Sequence, residues 1–153
     1  METIVQEIVQ EIVNKIKQYD NLHSVKAEDT VNWADKLGEV LAQRPGEDKE
    51  NQLTKTQIRK FLDAVIRIKN LHKDNVDYRA QAMLIKPKLA YIVGKTKKSK
   101  RIKGETIIIN PVGPLMEVLE PCINRIYNKE DFERFADFVE AIVAYHKYYG
   151  GKD

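Results

Sequence analysis

Apolar residues at the start of the chain recur every three or four positions. Ile4, Val5, Ile8, Val9, Ile12, Val13 and Ile16 form one broad stripe, the pattern of an amphipathic helix. Glu2, Glu7 and Glu11 lie toward its beginning and Lys15 and Lys17 toward its end, the order that the helix dipole favours. Most of the stripe is β-branched, so intrinsic propensity is moderate and the helix needs a packing partner, either the body of the chain or a second copy. Asp20-Asn21 is expected to end it. A second helix is predicted over 26–43, with Val31, Ala34, Leu37, Val40 and Leu41 inward. Arg44-Pro45-Gly46 stops it, and the charged residues 47–51 read as a surface linker.

Thr54 followed three residues later by Gln57 fits a capping box, in which each side chain takes a backbone N–H of the other. Ile58, Phe61, Leu62, Val65, Ile68 and Leu71 follow at helical spacing, and the segment should end near 73–75. A fourth helical stretch runs over 76–93; Pro87 is expected to kink or break it and Gly94 to end it. Residues 95–103 then carry six basic side chains and read as an exposed basic loop extending to about 110, in which Ile107, Ile108 and Ile109 pack without forming a paired strand. Leu115, Val118, Leu119, Cys122, Ile123 and Ile126 define a further helix containing Pro121. Asn128 caps the last one, whose face is Phe132, Phe135, Phe138, Val139, Ile142, Val143 and Tyr149. Five to six helices in 153 residues describe an all-α compact bundle, a single helical domain over 1–153. Its acidic first part, 1–52, packs on the rest or is exchanged with a partner.

Charge divides the chain more sharply than the net +3 suggests. Residues 1–52 carry six Lys or Arg against eleven Asp or Glu. Residues 53–103 carry fifteen against three, and residues 104–153 carry five against nine. A strongly basic middle between acidic ends points to a polyanion, RNA or DNA first. The same pattern also serves a solvated face, or one that meets acids of a neighbour. Cys122 is the only cysteine, so no intrachain disulfide can form. The first residues lack the basic region, apolar run and small-residue cleavage site of a secretory signal, and no apolar run reaches bilayer length. The chain reads as cytoplasmic, with no membrane partner.

No catalytic constellation stands out. His23, His72 and His146 are far apart and match no metal-ligand spacing, and the glycines make no phosphate loop. Cys122 sits on an apolar stripe and reads as core. His146 reads as a packed or surface residue, with a ribonuclease using His146 or His72 as a rival reading. Asp131, Glu133, Asp137 and Glu140 read as a solvated acidic face, not a metal site. No cofactor is expected. The basic residues carry more: Arg59, Lys60 and Arg67 on the third helix, Lys86 and Lys88 flanking Pro87, and Lys95, Lys97, Lys98, Lys100 and Arg101 after it. Contacts from such residues hold a phosphate backbone and carry no base specificity. Tyr78 and Tyr91 are assigned to core packing, with stacking on bases as the alternative.

The same residues carry a resemblance. LTKTQIRKFLDAVIRIK (53–69), LIKPKLAYIVGK (84–95) and EDFERFADFVEAIVAYHKYYGG (130–151) are similar, in order and spacing, to the small subunit of the type III-A CRISPR–Cas interference complex, the Csm complex. The likeness covers the chain from about residue 53 onward and leaves the first fifty residues and the basic loop poorly matched. It implies an all-helical, non-catalytic subunit that stacks in several copies opposite the backbone subunits and contacts the guide RNA and the captured target RNA. Cleavage and signalling would belong to the backbone and large subunits. Carried across, the basic surface falls on Arg59, Lys60, Arg67, Lys86, Lys88 and Lys95, while Phe61, Phe132, Phe135, Phe138 and Ile142 become core or intersubunit packing residues. The alternative is a stand-alone, dimeric nucleic-acid-binding regulator.

Overall fold

The computed structural model describes residues 3–153; Glu2, assigned above to the first helix, lies outside the described residues. Helix α1 spans Ile4–Ile16 and opens with a capping box, Thr3 and Gln6 each accepting the other's backbone N–H. Val5, Val9, Ile12, Val13 and Ile16 are buried. The helix stops before Asp20-Asn21, because the next bonds, from Gln18 N–H to Lys15 O and Tyr19 N–H to Ile16 O, tighten the chain into a shorter turn.

Helix α2, Ala27–Gln43, buries Thr30, Trp33, Ala34, Leu37, Gly38 and Leu41. Val31, expected inside, is exposed: the buried stripe is centred on Trp33 and leaves Val31 on the opposite side. The helix ends where Arg44 adopts a left-handed conformation (φ 41°). Residues 47–51 are not a loose linker. Arg44 is buried and forks onto Glu47 at 2.9 and 3.0 Å, and its remaining nitrogen donates to the Asn110 carbonyl at 3.1 Å. A short 3-10 turn, Lys49–Asn51, then buries Asn51, whose side chain accepts the Asn110 N–H at 2.7 Å.

Helix α3, Lys55–Lys69, begins with the expected Thr54–Gln57 capping box. Helix α4, Tyr78–Thr96, is not broken at Pro87 and does not end at Gly94. Pro87 faces solvent, so the carbonyl that loses its helical donor there is open to water. The basic stretch is not a loop: strand β1, Lys98–Ile102, pairs antiparallel with β2, Glu105–Ile109, matching Lys98 with Ile109 and Lys100 with Ile107. Lys103 (φ 51°) and Gly104 (φ 82°) form the two-residue turn, a geometry whose twist suits a hairpin and for which glycine at the second place removes the steric cost. The three isoleucines thus find their strand partner in the lysine run itself.

Helix α5, Gly113–Ile123, and helix α6, Lys129–Tyr148, complete the bundle. Asn128 caps α6 by accepting the Asp131 N–H at 2.9 Å. Helix α1 lies on α5, α6 lies between α2 and α3, and α4 packs on α3 and α5. One continuous core runs from Val5 to Ile142 and includes Phe61, Phe132, Phe135, Phe138, Ile142 and Cys122, all buried. At Gly38 a Cβ would stand 2.7 Å from the Tyr145 Cβ, so glycine is what allows α2 and α6 to approach so closely. Asp131, read above as part of a solvated face, is fully buried. It accepts the backbone N–H groups of His23 at 2.8 Å and Tyr127 at 2.9 Å and lies 2.7 Å from His23 Nδ1.

Candidate nucleic-acid interface

Helices α3 and α4 run antiparallel, joined by residues 70–77, and the basic side chains follow from their spacing. Lys60 and Arg67 are seven residues apart on α3, as are Lys88 and Lys95 on α4, so each pair shares a helix face. Between the helices lies a groove. Ala64, Arg67, Ile68 and Gln81 line one part of it, and Lys60, Phe61, Pro87, Tyr91 and Ile92 line the next, with Lys88 bordering both. At the end near the start of α3, Lys95 and Gln57 line a further depression. The groove is basic in its middle, while Asp74 and Asp77 stand at its other end.

The fold sorts the ten basic residues singled out from sequence. Lys98 and Lys100 turn back onto the chain between α2 and α3: Lys98 pairs with Glu50, and Lys100 lies 2.6 Å from Glu50 and 3.3 Å from Asp48. These ammonium groups, Lys100 first, pull the Glu50 carboxyl down to about 2, and Lys100 is itself shifted upward by Glu50 and Asp48. Arg101 donates to the Gly104 carbonyl within the hairpin turn. The other seven, Arg59, Lys60, Arg67, Lys86, Lys88, Lys95 and Lys97, join no ion pair among the described residues. Lys69, on the same helix, instead reaches Glu140 at 3.1 Å.

Two features escaped the sequence reading. Tyr91, expected in the core, is 69% exposed, whereas Tyr78 packs on Phe132 with ring centroids 5.9 Å apart. The acids Asp48 and Glu50, which neutralise part of the hairpin, lie in the charged stretch that reads from sequence as a linker. A signal for the first was present. Helix α4 carries apolar residues on every side, and only Ala82, Ile85 and Leu89 are needed inside.

The histidines stay apart. His146 is buried, and its Nε2 lies 2.6 Å from the Leu53 carbonyl, which can only accept, so that nitrogen carries a proton. His72 lies on the exposed connection between α3 and α4. Burial pushes the Cys122 thiol up to about 12, where it is inert as a nucleophile. Among the described residues no group of three or more His, Cys, Asp or Glu could hold a metal ion, and no helix is long and apolar enough to cross a membrane.

The fold is a mostly helical bundle of six helices with a small β-hairpin, and its α3–α4 groove is rimmed by cations that join no ion pair among the described residues. The chain belongs to the Csm2 type III-A family, whose family model matches residues 24–152. That match begins well before residue 53 and so takes in α2, which the sequence comparison above left out. A relative from Streptococcus thermophilus, described as the CRISPR system Cms protein Csm2, is 26% identical over 125 residues, covering 80% of this chain and 94% of its own. No solved structure matches this chain. Csm2-family proteins are non-catalytic, in keeping with a nucleic-acid-associated role in a CRISPR system.

Proposed function

We propose that this chain is a structural subunit of a type III-A CRISPR effector complex, stacked in several copies and holding the guide–target RNA backbone along the α3–α4 groove. Its partners are then the guide RNA, the target RNA, the backbone and large subunits, and further copies of itself. The supporting observation is that Lys60, Arg67 and Lys88 line one groove, with Lys95 in the depression beyond it, and that the four join no ion pair among the described residues. Cations without protein partners on a shared face suit phosphates, which need charge and spacing but no base contact. Sequence-independent holding is what a guided complex requires, because base pairing with the guide supplies specificity.

Co-expression with the other effector subunits and a guide array, followed by purification through a tag on this chain, tests the assignment. A stoichiometric complex containing guide RNA is expected. The double reversal Lys60→Glu, Arg67→Glu should leave that complex intact and weaken target capture at least tenfold. A protein that elutes alone, without guide or partners, sinks the subunit reading in favour of a stand-alone nucleic-acid binder.

A further inference from the structure

We infer that the Tyr91 section of the α3–α4 groove is a stacking site for an unpaired nucleobase, with Lys60 and Lys88 holding the phosphates on either side; the inference rests on the RNA reading of the same face. The section has a volume of about 390 Å³ and is lined by Phe61, Pro87, Tyr91 and Ile92 between the two lysines. Phe61 and Ile92 belong to the core or pack against it, so the floor is fixed. Tyr91 is not part of the core. The residue is 69% exposed and its ring is in none of the aromatic pairs formed among the described residues, on a helix whose opposite side buries Ala82, Ile85 and Leu89.

Chemistry selects the occupant. An apolar floor with an available aromatic face suits any flat π-system, and unpaired ammonium groups at both rims add a demand for negative charge on either side of it. A nucleotide within a strand meets both demands, since each base has a phosphate before and after it. A base engaged in a helix has both faces already covered by its neighbours, so the site takes one that is unstacked. Stacking of this kind tolerates any base because every base presents a π-face. A purely apolar protein segment would leave Lys60 and Lys88 without a counter-charge.

The test uses the full chain and two probes of equal length: a short oligouridine and the same oligomer with its bases removed. Tyr91→Ala should weaken oligouridine binding about tenfold and leave binding of the abasic oligomer unchanged, as expected for one lost stack. Tyr91→Phe, which keeps the ring, should bind like wild type. The double variant Lys60→Glu, Lys88→Glu should weaken binding of both probes. If Tyr91→Ala has no effect, or weakens both probes alike, while the lysine reversals still weaken both, the stacking site is wrong and the backbone groove stands. If the lysine reversals change neither probe, or wild type binds neither, the RNA reading of this face fails with it.

Discussion

The Lys100 ammonium lies 2.6 Å from a Glu50 carboxylate oxygen, fastening the hairpin to the chain that joins α2 to α3. Glu50 is drawn down to about 2 from an ordinary 4.5. Its folded value is the lower one, so the contact's contribution is complete above about pH 4.5 and is lost as pH falls toward about 2. Lys100→Glu removes the attraction at neutral pH. Both side chains are exposed enough for solvent to screen them, so the melting temperature should change little. Hydrogen exchange of the 98–109 amides should rise in the variant at pH 7, and in the wild type only below about pH 3.

The α2–α6 crossing leaves no room for a side chain at position 38. Gly38→Ala would set a methyl 2.7 Å from the Tyr145 Cβ and 2.9 Å from the His146 backbone nitrogen. Neither obstacle is the end of a flexible side chain, so a helix must move, at a cost of about 1–3 kcal/mol. Urea unfolding should show a lower midpoint with an unchanged slope.

Cys122 should resist thiol reagents in the native protein. The residue is 1% exposed and its thiol is shifted up to about 12 by desolvation. Labelling at pH 8 is expected only in step with unfolding, so its rate across a urea series reports opening of the core. Rapid labelling without denaturant would contradict the packing described for α5.

Salt dependence separates phosphate holding from the stacking site. Lys60→Ala should lower the slope of log affinity against log salt for a single-stranded RNA by about 0.7, the value for one lost phosphate contact. Tyr91→Ala should lower affinity while keeping the slope, because an aromatic ring displaces no counterions.

What the sequence made legible was local. The stripes of α1, α3, α5 and α6 and the caps at Thr54 and Asn128 depend on residues three or four apart, and most lie where the spacing puts them, although Ile4 is exposed and Leu71 and Ile126 fall beyond the ends of α3 and α5. The hairpin pairs neighbouring strands, yet a lysine-rich strand has no apolar alternation to announce it, and the acids that meet Lys98 and Lys100, Asp48 and Glu50, lie about fifty residues earlier. The outcome at Pro87 depends on its solvent-facing position, which its neighbours in the chain do not reveal. Asp131 was misread because acidity suggests solvent, whereas the buried entry to α6 needs an acceptor for two backbone N–H groups. The cations of the groove were visible as residue types. Which of them remain unpaired emerges only once the acids have been placed.

The close fit of α2 against α6 also has a consequence during synthesis. About 85 residues separate the end of α2 from the start of α6, yet these helices form the most extensive contact in the bundle. At the ~5–20 residues per second of translation, α2 waits several seconds for the helix that covers it. Trp33, Leu37 and Leu41 stay uncovered on that side meanwhile, and α3, which packs on α6 as well as on α4, waits with them. The nascent chain thus carries an open core until α6 has been made and can close it.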